Sequence, residues 1–379
     1  MSVRFLTAVS GRAFNMRDRF GREIDYMRIS VIDSCNLNCY YCNPQDNNKK
    51  CQAINILSVK KVLCIVRAAT RLGITHFRLT GGEPLLHPQI DEMVSQIKKI
   101  PGVRSVSLTT NAVLLAQHAN QLKEAGIDSI NVSLDTIDAS EYEHITKKPL
   151  LDKVEHGIDA AIECGIRVKI NVVLTPQTDV VALTRYASKK GTDIRFIEMM
   201  PVGEGHTNGV EPYKKVIGTL SELYGEPYHV NTGKTKEINS GYNKYKEERK
   251  NPDNGPAEYY SFHGLDIRVG LIQAIHGKFC DTCNRIRVTA DGRLMPCLGS
   301  SVTMDLVPDS YEFTDDLEKD FVIVQALKAA IKAKPGCHNF NDNAVTYTKT
   351  TETKTVETKT TELKAAEVNA ARNMSRIGG

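Results

Sequence analysis

Tryptophan is absent from the 379 residues, and aromatic side chains make up only 6%. The chain therefore lacks the stacking platforms on which single-stranded nucleic acids are bound. No uncharged apolar run approaches the ~18 residues that a membrane-spanning helix needs. Strong charge of one sign is missing too: 49 Lys and Arg stand against 45 Asp and Glu, a net of +4. That balance argues against an obligate nucleic-acid binder and leaves room for a local basic pocket. Ten cysteines are too few for a disulfide scaffold, and no signal-peptide core precedes them. Such thiols fit a reducing compartment, where clustered Cys mean metal or redox chemistry. A cytoplasmic location is expected. The mitochondrial matrix is the alternative, because Met1–Asn15 is basic and the first acidic residue is Asp18. What remains is ordinary: 41% hydrophobic and 25% charged residues can bury a core in two or three domains.

From Asp25 to about Met200 one unit repeats: a short apolar strand, a turn, then a helix. Strands are expected at Tyr26–Ile32, His76–Thr80, Val103–Leu108, Ser129–Leu134, Arg167–Leu174 and Ile194–Met199. Helices are expected at Ser58–Leu72, Gln89–Lys99, Leu115–Ala125, Asp152–Cys164 and Val180–Lys189, with Gly73, Gly126 and Gly165 as C-terminal caps. Alternating strands and helices read as βα units on a parallel sheet. Period-2 alternation separates Phe77, Ile130, Val132, Ile170 and Val172 from a second, polar face bearing Arg78, Asn131 and Lys169. A closed barrel fills its interior with branched apolar residues, so a polar interior predicts a ligand cavity in a partly open barrel. The fold class expected is α/β, a partial (β/α)6 TIM-type barrel with a smaller α+β C-terminal domain.

After Pro201 the pattern changes to a helix at Tyr213–Leu223, loops, short strands over 257–298 with a hairpin turn at Ala290-Asp291-Gly292, and a helix at Phe321–Lys332. Thr346–Thr361 repeats Thr, Lys and Glu almost without apolar residues and reads as a disordered tether. An Ala-rich helix, Glu362–Ala371, leads to a Gly378-Gly379 end. The expected divisions are 1–24 (extension), 25–235 (barrel), 236–345 (C-terminal domain) and 346–379 (tether and tail).

The first strand runs into Cys35, Cys39 and Cys42, a C-x3-C-x2-C loop. Three thiolates so spaced can hold three corners of a cubane iron–sulfur cluster and leave the fourth iron open. A structural zinc site, the competing reading, wants four ligands, and the only nearby candidate is Cys51. The ends of later strands carry Gly81-Gly82-Glu83-Pro84, Thr109-Thr110-Asn111, Ser133-Leu134-Asp135 and Met199-Met200-Pro201. All fall on the rim where βα enzymes place their active sites. Gly81-Gly82 is read as a backbone edge able to pair with a ligand's ammonium or carboxylate.

These motifs resemble the radical S-adenosylmethionine (SAM) superfamily, whose C-x3-C-x-aromatic-C signature appears as Cys35, Cys39, Tyr41 and Cys42 and whose GGE appears as Gly81-Gly82-Glu83. The resemblance implies a partial six-stranded barrel and a [4Fe-4S] cluster whose open iron binds SAM. It also implies cleavage of SAM to a 5′-deoxyadenosyl radical that takes hydrogen from a substrate.

A second group, Cys280, Cys283 and Cys297, has C-x2-C-x13-C spacing and again offers three thiolates. Cys337-His338 could complete a zinc site there. Arg285 and Arg287 follow at i and i+2, on one face of a strand. With Arg28, Arg78, Lys169 and Arg195 in the barrel strands they form a set of cations that burial tolerates only with an anion to meet. Either a polyphosphate or polycarboxylate substrate supplies it, or some pair with Asp33, Asp135 and Glu198.

Taken together the chain resembles the GTP 3′,8-cyclase family of molybdenum cofactor biosynthesis. The matching stretches are Phe20-Gly21-Arg22, Tyr26–Cys42, Leu79–Leu85, Leu108–Asn111, Ile130–Asp135, Lys169–Val173, Arg195–Pro201, Arg268-Val269-Gly270, Phe279–Leu298 and Gly378-Gly379. The resemblance implies a radical SAM lyase that converts GTP to (8S)-3′,8-cyclo-7,8-dihydroguanosine 5′-triphosphate after removal of the C3′ hydrogen. It implies a second three-Cys [4Fe-4S] cluster on Cys280, Cys283 and Cys297 that binds guanine. Arg28, Arg78, Thr109, Lys169, Arg195, Arg285 and Arg287 would hold the nucleotide, the last two also acting in catalysis. Tyr41, Gly82, Glu83, Ser133 and Met200 would line the SAM site. Implied partners are a flavodoxin- or ferredoxin-like electron donor, the downstream cyclic pyranopterin monophosphate synthase, and a second copy in a homodimer; neither nucleic acid nor membrane is among them.

The chain departs from the family at Ala112, where Gly is usual, and at His76, where Lys is expected. Its tether also stands before a Gly-Gly tail that in the family reaches into the barrel; ~20 flexible residues span roughly 25 Å. Cys64 and Cys164 read as packing residues. A radical SAM peptide-modifying enzyme is the alternative activity, although it leaves Arg285-x-Arg287 and Gly378-Gly379 unexplained. A zinc protein binding nucleic acid is the alternative from another class.

Overall fold

Period-2 alternation is realised as six parallel strands: β1 (Tyr26–Ser30), β2 (His76–Thr80), β3 (Ser105–Thr110), β4 (Ser129–Ser133), β5 (Arg167–Val173) and β6 (Asp193–Ile197). They pair in chain order. The computed structural model describes residues 16–42, 54–201, 209–230, 255–300, 302–307, 320–338 and 340. The extension before residue 16, Cys51, the Thr/Lys/Glu tether, the Ala-rich helix and Gly378-Gly379 lie outside the described residues.

Helices α1 (Val59–Thr70), α2 (Ile90–Lys98), α3 (Leu115–Glu124), α4 (Ala139–Thr146), α5 (Leu151–Glu163) and α6 (Val180–Lys189) separate these strands. Ser58 caps α1 through the Lys61 N–H, and Gly73, Gly126 and Gly165 take φ of +84°, +87° and +67° just past α1, α3 and α5. Phe77, Leu79, Ile130, Val132, Ile170 and Val172 are fully buried in the main core, on the strand faces opposite the cations. The third strand starts two residues later than its composition suggests, because Val103 closes a turn on the Ile100 carbonyl. Helix α4 was not expected; Asp138 caps it by accepting the Glu141 N–H, while its own N–H goes to Thr136 Oγ1.

The C-terminal half extends this sheet at both edges. After α7 (Thr219–Tyr224), preceded by a π-helical turn at Tyr213–Gly218, come β7 (Tyr228–Val230), β8 (Glu258–Ser261) and β9 (Val269–Ile272). Strand β9 adds parallel to β6, and β8 and β7 follow antiparallel. Strand β10 (Arg285–Val288) adds parallel to the opposite edge, on β1, and β11 (Arg293–Met295) and β12 (Met304–Asp305) follow antiparallel. Eight parallel strands, β10-β1-β2-β3-β4-β5-β6-β9, therefore lie in one open twelve-stranded sheet. Helix α8 (Asp320–Ala333) packs on α1, fixed by the Arg67–Asp320 ion pair at 3.0 Å.

This order demands curvature. Strands β9 and β10 are consecutive in sequence, with only residues 273–284 between them, yet they sit at the two ends of the parallel block. In a flat sheet the ends would lie about 34 Å apart at ~4.8 Å per strand. Twelve residues that include a 3₁₀ turn at Cys280–Thr282 do not cover that distance and also return along the strand. The sheet rolls instead, and residues 334–338 hold its two ends together: His338 Nε2 contacts the Ala274 carbonyl beyond β9 at 2.6 Å, and Lys334 contacts Cys283 Sγ before β10.

Candidate active site

Strand β1 delivers the first cysteine loop to the C-terminal rim. The loop is braced by backbone bonds into the last turn of α4, from the Asn38 N–H to the Thr146 carbonyl (3.0 Å) and from the Tyr40 N–H to the Ile145 carbonyl (3.2 Å). Asn111 beyond β3 holds the near side, donating to Asn36 Oδ1 at 2.8 Å. Burial pushes the Cys35 thiol up to about 12, with Glu83 and Cys42 adding to the rise. Cys39 is pushed up by burial, then by Asp135 and its neighbouring thiols; Cys42 rises for the same first two reasons. The loop gathers three thiols beneath two carboxylates, and they stay protonated until a metal displaces the protons. Among the described residues no three Cys, His, Asp or Glu side chains converge as the cage of a single metal ion. A cubane makes a different demand, since it meets its thiolates at three separate irons. Three thiols on one loop, with no fourth ligand among the described residues, suit that group, and they suit tetrahedral zinc poorly.

Behind the loop, Gly81-Gly82-Glu83 runs against Ile32–Ser34. The Gly82 N–H bonds to the Ile32 carbonyl at 2.7 Å and the Glu83 N–H to the Ser34 carbonyl at 2.8 Å. A Cβ on Gly82 would lie 2.2 Å from the Ser34 carbonyl oxygen, so only glycine fits. These two N–H groups are occupied, so the carboxylate pairing expected of this edge finds no donor in them, and its carbonyl oxygens remain to meet an ammonium. Glu83, 1% exposed, accepts from the Leu85 N–H, from Thr110 Oγ1 at 2.6 Å and from the Asn111 N–H at 2.7 Å. Burial outweighs those bonds and raises its carboxyl to about 7. Tyr41 donates to Asp135 Oδ2, and Asp135 also accepts the Val173 N–H at 2.7 Å. Ser133 ends β4, exposed, and Met200 follows β6, half-buried.

Sheet register assembles the cations. Arg28 stands opposite Arg287 on one side and Arg78 on the other, so three guanidinium groups share one face of adjacent strands. Tyr26 stands opposite Arg285 and His76 one step below. Lys169 lies across from Asn131, and Arg195 across from Asn171 and Gly270; Arg195 shares the polar face of Asn171, because Ile194 and Phe196 enter the core. Burial lowers the Arg28, Arg285 and Arg287 pKa values; Arg287 adds to the effect on Arg28 and on Arg285. Arg78 is steadied by Tyr26 Oη and by Thr109 Oγ1 at 3.4 Å.

The three carboxylates that might have neutralised this row serve elsewhere. Asp33 accepts from Asn55, Asp135 from Tyr41 and Val173, and Glu198 from His276 and Ile275. Among the described residues Arg78, Arg195, Arg285 and Arg287 form no ion pair with a carboxylate. Arg195 Nη2 and Asn131 Oδ1 are buried with no hydrogen-bond partner. Orphaned buried polar atoms cost about 1–3 kcal/mol each, and a bound anion with polar edges would relieve them.

The second cysteine group lies at the other end of the row. Strand β10 runs parallel to β1 and starts at Arg285, so Cys280 and Cys283 precede it, beyond the N-terminal end of β1. Arg287 pairs antiparallel with Met295, which carries Cys297 back toward Cys283. The cations thus lie between the two loops, along a strand whose four steps rise about 13 Å. Burial opposes ionisation of Cys283, but Lys334, Arg285 and Arg287 overcome it and hold the thiol at about 7. Three thiols with local positive charge suit a cluster with one open iron.

Four supporting residues emerge from the geometry: Tyr26 and Lys334 were not singled out in the sequence, and Arg22 and Asn111 stood there only inside longer motifs. Tyr26 and Asn111 orient Arg78 and the first loop. Arg22 donates to the Cys280 carbonyl (2.6 Å), the Pro335 carbonyl (2.6 Å) and the Gly336 carbonyl (3.0 Å), and is paired with Asp18 at 2.6 Å. Lys334 is 3% exposed. The one signal for Lys334 was a Lys-Pro pair just past an apolar helix. Cys64 is fully buried in α1, and Cys164 Sγ contacts Asn120 Oδ1 at 3.0 Å beside Gly165, both packing roles as expected. Cys337 is exposed.

Comparison with known proteins agrees with this arrangement. Residues 29–183 match the radical SAM superfamily and residues 192–340 match the family described as Molybdenum Cofactor Synthesis C. A GTP 3′,8-cyclase of Clostridium perfringens (strain SM101 / Type A) is 35% identical over 330 residues, 86% of this chain and 95% of that protein. One from Listeria monocytogenes serovar 1/2a is 36% identical over 327 residues, covering 85% and 92%. Among solved structures, Streptococcus suis SuiB bound to S-adenosylmethionine superposes with a TM-score of 0.53 at 16% identity, over 80% of this chain and 65% of that one. The chain spans less than two thirds of that structure, and the likeness shows a shared fold. With relatives this similar over nearly their whole length, and both halves matched in order, the chain belongs to the GTP 3′,8-cyclase family.

Proposed function

We propose that the protein joins C3′ of the GTP ribose to C8 of guanine with the triphosphate retained, a lyase-class reaction that begins molybdenum cofactor biosynthesis. The observation that carries this reading is the row of guanidinium groups in register, Arg287 and Arg78 buried with Arg28 half-buried between them, set between two three-cysteine loops. A polyanionic substrate supplies the negative charge that Arg78 and Arg287 lack.

Cys35, Cys39 and Cys42 would hold one [4Fe-4S] cluster, with Tyr41, Gly82, Glu83, Ser133 and Met200 around SAM; Cys280, Cys283 and Cys297 would hold a second. Cluster and SAM together supply a one-electron cleavage that yields a 5′-deoxyadenosyl radical able to take the C3′ hydrogen. The chain's own work is positional. Arg28, Arg78, Lys169 and Arg195 bind the polar edges of the nucleotide, and Thr109 fixes Arg78. Arg285 and Arg287 stand next to the second loop, where they stabilise negative charge developing on the guanine. With both ends of the nucleotide held, C3′ and C8 meet as an intramolecular pair, worth several kcal/mol of the barrier. The 25–235 and 236–345 divisions follow the two loops, and the cytoplasm, a flavodoxin- or ferredoxin-like donor and the downstream synthase complete the reading. Among the described residues no helix is long and apolar enough to cross a membrane.

The test is an anaerobic single turnover of the reconstituted, reduced protein with SAM and GTP deuterated at C3′. Deuterium in 5′-deoxyadenosine together with an isomer of GTP is the expected result. Unlabelled deoxyadenosine formed at a rate indifferent to GTP would leave SAM cleavage standing and reject GTP as substrate.

A further inference from the structure

One buried cation is not accounted for by the nucleotide. Lys334 follows directly on α8 and its side chain turns away from solvent toward the second cysteine loop. Its Nζ lies 2.8 Å from the Arg285 carbonyl, 3.0 Å from the Pro296 carbonyl and 3.4 Å from Cys283 Sγ. An ammonium has three N–H donors and no acceptor, and here it meets three acceptors. Two of these flank cysteines of the group: Arg285 is two residues past Cys283, and Pro296 immediately precedes Cys297. One side chain therefore ties together the two strand ends that carry the thiols and points its remaining proton at one of them. No carboxylate pairs with it among the described residues. Among the described residues its side-chain partner is the sulfur of Cys283.

We infer that Lys334 is a positioning residue for the second cysteine group: it fixes Cys283 and Cys297 at their spacing and, through its hydrogen bond to Cys283, makes a cluster held there easier to reduce. This rests on the reading of Cys280, Cys283 and Cys297 as cluster ligands. Reduction potentials of iron–sulfur centres respond to net charge and to hydrogen bonds on the sulfurs, and outer-shell partners of metal ligands commonly change affinity by 10–100-fold when removed. Among the described residues the first loop has no counterpart: carboxylates, Glu83 and Asp135, act on its thiols.

The experiment uses the full chain with Cys35, Cys39 and Cys42 replaced by Ala, so that only the second group can hold a cluster, reconstituted anaerobically with iron and sulfide. Iron and acid-labile sulfide per chain are measured, and the cluster is titrated by electron paramagnetic resonance against potential. Lys334→Met and Lys334→Gln are compared with the Lys334 parent, each checked for native circular dichroism. The expected result is a cluster in the parent, and in the variants either a more negative midpoint potential or a several-fold fall in iron and sulfide on a folded chain. Should Lys334→Met fail to fold, the polar, uncharged Lys334→Gln decides by the same two readings. A parent that takes up no iron and sulfide rejects the cluster reading itself. A parent that does, with variants matching it in both occupancy and midpoint, overturns the role of Lys334 alone.

Discussion

The two cysteine loops have the same number of thiols and opposite surroundings. Around Cys35, Cys39 and Cys42, burial and two carboxylates hold the thiols protonated, Cys35 at about 12. Around Cys283, one lysine and two arginines overcome burial and hold the thiol at about 7. Spacing alone does not distinguish these environments; what the sheet brings alongside does. The first loop sits on the rim where β2, β3 and β4 end in Glu83, Asn111 and Asp135. The second sits where β10 and β1 begin, next to the cationic row. A negative setting disfavours adding an electron and a positive one favours it, so a cluster held on the second loop would be the easier of the two to reduce.

The largest expected break in this contrast is Arg285→Ala with Arg287→Ala. Charge-assisted contacts are worth about 1.5–3 kcal/mol each, so cyclisation of GTP should fall by roughly 10²–10⁴-fold, while uncoupled SAM cleavage and iron content hold. Measured GTP affinity and deoxyadenosine yield separate the two; loss of both would show that the arginines also support the first loop. Next is Arg22→Met, which leaves Asp18 buried without its partner. Breaking such a pair costs about 3–5 kcal/mol, and it releases Cys280 from its clamp. Calorimetry should show the loss of stability, and iron analysis a deficit confined to the second group; a deficit shared by both loops contradicts the local role.

A third expectation concerns pH. Glu83 rises on folding from 4.5 to about 7, so between those values the cluster-free native state binds more protons than the unfolded one. Its stability should therefore fall as pH rises through that window, by up to about 3 kcal/mol from this group. Denaturation midpoints between pH 5 and 8 should show the slope, and Glu83→Gln should flatten it; an unchanged slope assigns it to other groups. The smallest effect belongs to Ala112, which follows Asn111 at a left-handed φ of +63°. Ala112→Gly should stabilise the fold by about 1 kcal/mol, read as a higher melting temperature with activity unchanged.

Much of this was legible because strands and helices announce themselves by period. The six barrel strands and their polar face could be read from residues such as Phe77 against Arg78, and five helices from apolar spacing and terminal glycines. Helix α4 escaped because its buried stripe is only Tyr142, Ile145 and Thr146, too short for periodicity to register. The destinations of β9 and β10 escaped for another reason: pairing between strands distant in sequence leaves no local mark, and nothing in Val269–Ile272 says that it belongs beside β6. The same holds for the site. Cysteine spacing and cation positions are sequence facts, but the commitment of Asp33, Asp135 and Glu198 to other partners is visible only in space. So is the occupation of the Gly82 and Glu83 N–H groups.

The clasp formed by residues 334–338 also sets a timetable. The ends of the rolled sheet are joined by a segment that follows all twelve strands in the chain and is therefore made after them. Until then β1 to β6 can pair in order, but β10 waits beside β1 without Lys334, and Arg22 waits without Pro335 and Gly336. The first loop has its braces, Asn111, Ile145 and Thr146, by the middle of the chain. The second waits for Lys334, Pro335 and Gly336, which reach it directly or through Arg22.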